Sequence, residues 1–147
     1  MGDVEEARHL FKGGSSVKKV TPFLMFEGNA EEAMKYYTSL IEDSEITSIT
    51  RYGANEVGQE GSVKQATFSL KGQEFMCIDS NIKHDFSFTP SFSLFITCDS
   101  EQEIDGLYDQ LTVSGSVLMP MDHYPFSKKF GWIVDKFGVS WQLNLPN

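Results

Sequence analysis

The sequence predicts an α+β domain that is built from two copies of one βαβββ unit. Two segments with apolar residues at helical spacing, near residues 30–41 and 101–111, each follow a short apolar segment that is typical of a strand. Three segments with strand character follow each helical segment. This repeated order indicates a single domain over residues 18–147, with modules at about residues 18–80 and 90–147.

Length and composition exclude several classes of partner. The chain has 147 residues, 40% of them hydrophobic, which is enough for one domain with a real core. Twelve Lys and Arg against twenty-one Asp and Glu give a formal net charge of −9. An acidic surface repels nucleic-acid phosphates and anionic lipid head groups, so we expect no nucleic-acid and no membrane partner. Apolar runs are too short to cross a bilayer and no signal-peptide core is visible, so we expect a cytoplasmic protein.

The first module begins after a separate arm. We predict that residues 1–17 form a flexible N-terminal extension, because Gly-Gly-Ser-Ser at 13–16 breaks any preceding helix. The apolar run at 23–26 predicts a strand. Asn29 is placed to cap the following helix, with Glu31 and Glu32 in the first turn, where the helix dipole favours carboxylates. Strands are predicted over residues 45–52, 62–70 and 73–79.

The second module repeats this order after a loop over residues 80–90. Apolar residues at 92, 94 and 96 alternate with Ser93, Phe95 and Thr97, which predicts a strand. Phe95 is the one aromatic residue on the polar phase, and this makes it a candidate for lining a binding cavity. Asp99 or Ser100 is placed to cap the second helix. A strand over residues 116–121 then leads to the end of the chain.

Residues 130–146 have the pattern of a closing β-hairpin. Asp135-Lys136-Phe137-Gly138 suits a tight turn, because Asp bonds its own downstream backbone and Gly adopts a positive φ. We assign the apolar phases of both arms to the core, and these include Trp132 and Trp141. Trp132 is also a candidate ligand platform. Gln142 is at the centre of the opposite, polar face, either as a ligand contact or as an amide that bonds neighbouring strands.

Two clusters of ligand-type side chains, His84-Asp85 and Asp122-His123-Tyr124, fall in segments that we predict to be loops. Adjacent residues of a strand point to opposite faces, so each adjacent pair would usually give one ligand if it were extended. Because the second cluster precedes the closing hairpin, His123 is a candidate general base or substrate contact, and Tyr124 is a candidate ligand contact. The alternative is a solvated histidine beside an acidic residue.

The two cysteines, Cys77 and Cys98, both lie among apolar neighbours. We predict that they are buried, reduced thiols. The chain has no CxxC pattern, so the sequence supports neither a zinc knuckle nor a redox pair.

Three segments carry a resemblance to a known family. TPFLMFEGNAEEAMKYY, TCDSEQEIDGLYDQL and FGWIVDKFGVSWQL together resemble the PhnB-like proteins of the vicinal oxygen chelate superfamily, which includes glyoxalases, ring-cleaving dioxygenases and bleomycin-resistance proteins. The resemblance covers about residues 18–146. It implies paired βαβββ modules whose curved mixed sheets form a cup around a ligand, and it implies a homodimer. Such proteins are often labelled ubiquinone-pathway methyltransferases, but no glycine-rich turn of the kind that holds a nucleotide methyl donor follows any strand here.

The resemblance also implies where a metal would be held. Metal-using members of the superfamily place His, Gln or Glu on the first and last strands of each module. In this chain those positions fall on Pro22, on Met76 or Cys77, near Ser91, and on Gln142. Proline and methionine offer a hard divalent cation no useful ligand, and a serine hydroxyl is a weak one. We therefore predict no metal and no cofactor.

Three functions remain open at this stage. We favour a small-molecule-binding protein of the superfamily, with a cup that lacks the usual metal site and with an unknown reaction. The second is a drug-sequestering protein of the bleomycin-resistance type, since an acidic, aromatic-lined groove suits a cationic drug. The third is a metal-dependent lyase or isomerase of the glyoxalase type. The candidate ligand contacts are Gln142, Phe95, Trp132, His123 and Tyr124.

Overall fold

A computed structural model describes residues 16–147. The predicted N-terminal extension therefore lies outside the described residues, apart from Ser16 and Val17. The elements are β1 (Phe23–Phe26), α1 (Ala30–Leu40), β2 (Ser44–Arg51), β3 (Val63–Leu70), β4 (Gln73–Asp79), β5 (Ser93–Thr97), α2 (Glu101–Leu111), β6 (Ser116–Tyr124), β7 (Ser127–Val134) and β8 (Ser140–Leu145). Two successive βαβββ units are present, which confirms the predicted fold class.

Each module forms its own four-stranded mixed sheet. The strand orders are β1-β4-β3-β2 and β5-β8-β7-β6. The first strand of each module pairs in parallel with the last strand, and the other pairs are antiparallel. The chain that joins two parallel strands must cross over the sheet, and the helix that follows the first strand of each module is the first part of this connection. The pairing places Phe23 beside Met76 in the first sheet and Phe95 beside Gln142 in the second.

The core lies between the helices and one face of each sheet. Helix α1 packs on β2, β3 and β4, and α2 packs on β7 and β8. The ring of Tyr37 on α1 meets that of Trp141 on β8 edge to face at 5.1 Å, so the core runs through both modules. Among residues 16–147, no helix is long and apolar enough to cross a membrane.

The two helices begin in different ways. Asn29 holds the N-cap position of α1, as predicted, but its side chain makes no capping bond. Instead Oδ1 of the buried Asp79 accepts the backbone N–H groups of Gly28 and Ala30 at 2.8 and 2.9 Å. A carboxylate from β4 reaches these donors because β4 lies beside β1, which leads into the helix. At α2 the prediction is confirmed, since Oγ of Ser100 accepts the N–H of Glu103 at 3.1 Å.

The closing hairpin has the predicted loop. Oδ1 of Asp135 accepts the backbone N–H groups of Phe137 and Val139 at 2.8 and 3.1 Å. Gly138 has a φ of +91°, which a side chain would strain. These bonds fix the register in which Trp132 and Gln142 face each other across β7 and β8.

Two sequence-based assignments were wrong. Strand β6 continues to Tyr124, so Asp122-His123-Tyr124 belongs to a strand and not to a loop. Irregular pairing with β7 breaks the apolar alternation there, which is why the pattern appeared to stop at residue 121. Trp132 is only partly buried and is not part of the core, whereas its neighbour Ile133 is fully buried.

Candidate functional site

The second sheet has one face that no helix covers, and we call it the open face. A Cβ atom on Gly131 would lie 3.2 Å from the ring of Tyr108 on α2, so the side of β7 that bears Gly131 and Ile133 faces the helix. Trp132 alternates with these two residues and therefore points away from α2. Gln142 pairs with Trp132 on β8 and shares its direction. The open face is thus the side of the sheet that bears Trp132 and Gln142.

Strand pairing arranges the open face in three rows of four residues. The first row is Ser93, Ser140, Val134 and Ser116; the second is Phe95, Gln142, Trp132 and Met119; the third is Thr97, Asn144, Phe130 and Asp122. Neighbours in a row are about 4.8 Å apart along the hydrogen-bonding direction. The structure therefore brings together three of the five residues that the sequence proposed one by one, namely Phe95, Gln142 and Trp132.

A hydrogen-bonded network connects the first two rows. The indole Nε1 of Trp132 donates to Oγ of Ser140 at 2.8 Å. Ser140 and Ser93 join their hydroxyls at 2.7 Å, and Nε2 of Gln142 donates to Oγ of Ser93 at 3.3 Å. Ser140 is buried and Ser93 is half-buried. The orientation of the Trp132 ring and of the Gln142 amide is therefore set by the two serines beneath them.

The second row combines apolar surface with a polar group. Phe95 is 57% exposed, while Trp132 and Gln142 are half-buried. Of the twelve residues in the three rows, Asp122 is the one with an ionisable side chain. The open face thus offers two aromatic rings and an amide in surroundings that carry little charge.

The other two candidates lie at the far end of β6. Tyr124 packs against Phe126 and Phe130, and its hydroxyl donates to the carbonyl of Pro120 at 2.8 Å. His123 is exposed, and its Nδ1 lies 3.3 Å from the carbonyl oxygen of Lys128. None of these contacts reaches the row of Phe95, Gln142 and Trp132.

A cavity of about 890 Å³ lies on the other side of β5 from β8. Its walls come from the end of α1, the β3–β4 turn, β5 and α2. Their charged residues are Glu42, Lys71, Asp99 and Glu103. Phe95 lines this cavity, but Gln142 and Trp132 do not. The cavity and the open face therefore meet along β5, at Ser93, Phe95 and Thr97.

Comparison with known proteins identifies the family. A family model described as 3-demethylubiquinone-9 3-methyltransferase matches residues 18–144. The chain belongs to this PhnB-like family. The PhnB protein from Bacillus cereus is 61% identical, with a TM-score of 0.85 over 87% of this chain and 99% of that chain. Protein YjdN of Escherichia coli K12 is 22% identical over 139 residues, which are 86% of this chain and 94% of YjdN.

A more distant structure shares the fold of this chain. A glyoxylase/bleomycin resistance protein/dioxygenase domain from Frankia sp. EAN1pec is 14% identical, with a TM-score of 0.62 over 90% of this chain and 94% of that domain. At this identity the likeness concerns the fold alone. The family model and the Bacillus cereus protein confirm the resemblance to PhnB-like proteins, and the Frankia domain confirms the predicted glyoxalase/bleomycin-resistance-like fold.

The positions at which the resemblance implied metal ligands hold unsuitable groups in this PhnB-like chain. Pro22 precedes β1, and its carbonyl accepts the backbone N–H of Met76 at 2.9 Å. Ser91 lies before β5 and is exposed. The residues of β5 that lie next to Gln142 are instead Phe95, its pairing partner, and Ser93, its hydrogen-bond partner. Within residues 16–147, no three His, Cys, Asp or Glu side chains come close enough to share a metal ion.

Both cysteines of the PhnB-like chain are free and buried, as predicted. Burial raises the pKa of Cys77 to about 12, and it raises the pKa of Cys98 to about 12 as well. Each sulfur is therefore a neutral thiol at physiological pH, which does not favour a nucleophilic role.

Sequence reasoning missed the paired serines of the site. Ser93 and Ser140 each lie two residues before a candidate, Phe95 and Gln142 respectively, and so share its face. That spacing was visible in the sequence. The pairing of β5 with β8, which brings the two hydroxyls together, was not.

Proposed function

We propose that this protein binds a small organic molecule on the open face, in direct contact with Phe95, Gln142 and Trp132. The observation that supports this function is the row itself, in which an amide stands between two aromatic side chains on adjacent strands. The outer two strands are about 10 Å apart. A flat ring fits between two side chains at that separation and stacks on one or both of them.

The energetics of the face favour a ligand that covers apolar surface. Phe95 is 57% exposed, and water leaves its ring when a ligand packs on it. Burial contributes roughly 25 cal/mol for each Å² of apolar surface. A hydrogen bond to the amide of Gln142 would fix the orientation of the ligand. Trp132 is already hydrogen-bonded through Nε1, so its ring is held in place for such a contact.

We propose that no resident metal takes part. The side chains that flank Gln142 are Phe95, Trp132 and two serine hydroxyls, and such a set lacks the carboxylates or imidazoles that hold a divalent ion. The description of the matched family model names a methyltransferase. For this reason the binding screen described next includes S-adenosylmethionine, a methyl donor.

The first experiment is a thermal-shift screen of planar aromatic amines, phenols and carboxylic acids, with S-adenosylmethionine and bleomycin included. Hits should raise the melting temperature in a concentration-dependent way, because a ligand of the native state stabilises by mass action. Phe95→Ala should abolish the shift of those hits. Phe92→Ala is the matched control, because Phe92 is 60% exposed beside the same strand but has the opposite phase. Hits that survive Phe95→Ala unchanged would refute the proposed site.

A second measurement separates binding from catalysis. Each hit is incubated with the protein and then analysed by mass spectrometry. Chemical change that needs the protein indicates an enzyme, and recovery of the unchanged compound indicates a binding or sequestering protein. Retention of bleomycin without change would favour the drug-sequestering alternative.

We also propose a cytoplasmic homodimer. Strand β6 is an edge of the second sheet, and it exposes Val117 and Leu118 at 45% and 42%. Exposed apolar residues on an edge strand favour association with a second copy. Light scattering coupled to gel filtration should give twice the monomer mass, and Leu118→Lys should shift it toward the monomer. A monomeric wild-type protein would refute the dimer.

A further inference from the structure

We propose that the ligand of the open face presents an N–H or O–H donor to Oε1 of Gln142. The site would therefore select flat aromatic molecules that carry a hydrogen-bond donor in the ring plane, and it would discriminate against those that offer acceptors alone. This inference rests on the proposed function. It adds the chemical class of the ligand to the location of the site.

The direction of the hydrogen-bonded network follows from one fixed point. The indole Nε1 of Trp132 is a donor only, so Oγ of Ser140 must accept its proton at 2.8 Å. Either hydroxyl of Ser140 and Ser93, 2.7 Å apart, could donate to the other. We assign the donor to Ser140, because Ser93 has a second acceptor and Ser140 has no other within residues 16–147. Ser93 in turn donates to the carbonyl oxygen of Pro90 at 3.3 Å. Each hydroxyl in the series thus accepts a hydrogen bond from the indole side and donates one to the next group, away from the indole.

This direction fixes the amide of Gln142. The proton of Ser93 is directed to Pro90, so Oγ of Ser93 presents a lone pair to Gln142. The amino group of the Gln142 amide therefore faces this lone pair, and Nε2 donates to Oγ of Ser93 at 3.3 Å. Oε1 therefore points away from the serines. Within residues 16–147, no side chain or backbone group donates to Oε1 of Gln142.

The surroundings of Oε1 also limit the charge of the ligand. The three rows of the open face carry Asp122 as their one ionisable side chain, so no cation within them compensates an anionic ligand. Oε1 is an acceptor only, so a carboxylate would bring further acceptors toward it. Both groups would then lose water without gaining a hydrogen bond. The lack of a cation on the open face and the acceptor character of Oε1 therefore both favour neutral or cationic ligands that carry a hydrogen-bond donor.

The test compares three ring systems of nearly equal shape. Indole carries an N–H donor, whereas 1-methylindole and benzofuran carry none. Dissociation constants are measured by NMR titration of the isotope-labelled full-length protein. Indole should bind wild-type protein about five- to tenfold more tightly than the other two, which is the range expected for one net hydrogen bond.

Two variants connect the preference to the network. Gln142→Met keeps the length of the side chain but removes the acceptor, and it should make the three compounds equivalent. Trp132→Phe removes the indole donor that sets the direction, so the amide is free to turn, and the preference should fall while a ring remains for stacking. Gln59→Met, in an exposed loop, is the control and should retain the full preference.

The outcomes separate this inference from the proposed function. Equal affinities of wild-type protein for indole and 1-methylindole would overturn the donor rule, while binding at the row would still support the site. A preference that persists in Gln142→Met would also overturn the rule. Failure of all three compounds to bind at their solubility limit would overturn the rule together with the proposed aromatic site.

Discussion

The hydroxyl of Tyr37 on α1 donates a hydrogen bond of 2.7 Å to Oδ2 of Asp135, which lies in the β7–β8 loop of the other module. The same oxygen accepts Nε1 of Trp141 at 2.8 Å. Burial, with the nearby Asp135 charge, raises the pKa of Tyr37 far above its usual range, so Tyr37 remains a donor. A buried carboxylate thus fixes the closing hairpin, and with it the open face, to the helix of the first module.

Loss of the Asp135 charge should destabilise the whole domain. Asp135→Asn replaces one acceptor oxygen by an amino group that faces donors, and we expect a loss of roughly 2–4 kcal/mol of unfolding free energy. Urea denaturation measures this directly. The control is Asp109→Asn, which changes an exposed carboxylate on α2 and should alter stability by less than about 0.5 kcal/mol. Equal stability of both variants would show that the Asp135 network does not hold the modules together.

Three variants at the two helix starts should lower the free energy of unfolding by different amounts, in a fixed order. Asp79→Asn should cost about 2 kcal/mol or more, because Oδ2 of Asp79 also accepts the N–H of Val63 at 2.9 Å and an amino group there would oppose it. Ser100→Ala should cost about 1 kcal/mol as a conventional cap. Asn29→Ala should cost less than about 0.5 kcal/mol, since its side chain makes no capping bond. If Asn29→Ala were the most damaging of the three, the assignment of the α1 cap to Asp79 would be wrong.

The buried thiols predict a pH dependence at the alkaline end. Burial raises the pKa of Cys77 from 9.0 to about 12, so the folded state retains a proton that the unfolded chain loses above pH 9.0. Stability should therefore be unaffected below that pH and should fall as pH rises toward about 12, by up to about 1.4 kcal/mol per pH unit. Urea denaturation at a series of alkaline pH values, on wild-type protein and on Cys77→Ala, checks this. Identical pH slopes for the two proteins would contradict it.

Added metal should not stabilise the protein. The groups at the superfamily's ligand positions are poor ligands, so Mn, Ni, Zn and Fe salts should give no saturable rise in melting temperature, and protein purified without chelator should contain no stoichiometric metal. Elemental analysis is the companion measurement. Stoichiometric metal with a saturable shift would instead support the metal-dependent lyase or isomerase.

The sequence predicted most of the fold because its signals are local. Strand and helix periods, the Ser100 cap and the Asp135 loop all depend on residues close together in the chain. The cap of α1 was missed because Asp79 acts across 49 residues. The face of Trp132 was misassigned because Trp132 and Ile133 are both apolar, and alternation on β7 alone does not say which of them meets α2.

The candidate site was only partly predictable for a related reason. Phe95, Gln142 and Trp132 were each proposed from local pattern, but strand order and register make them neighbours. The parallel pairing of β5 with β8 connects residues that are 47 positions apart, as the bond between Ser93 and Ser140 shows. No periodicity within one segment contains that information.

The most direct test of the account is to map the contacts of bound indole on isotope-labelled protein by NMR. If indole binds on the open face, the largest shift changes should occur at the side-chain amide of Gln142, the indole N–H of Trp132 and the backbone amide of Phe95. The proposed site is contradicted if these signals stay in place while the changes concentrate elsewhere, for example around Glu42 and Glu103 in the cavity beside β5.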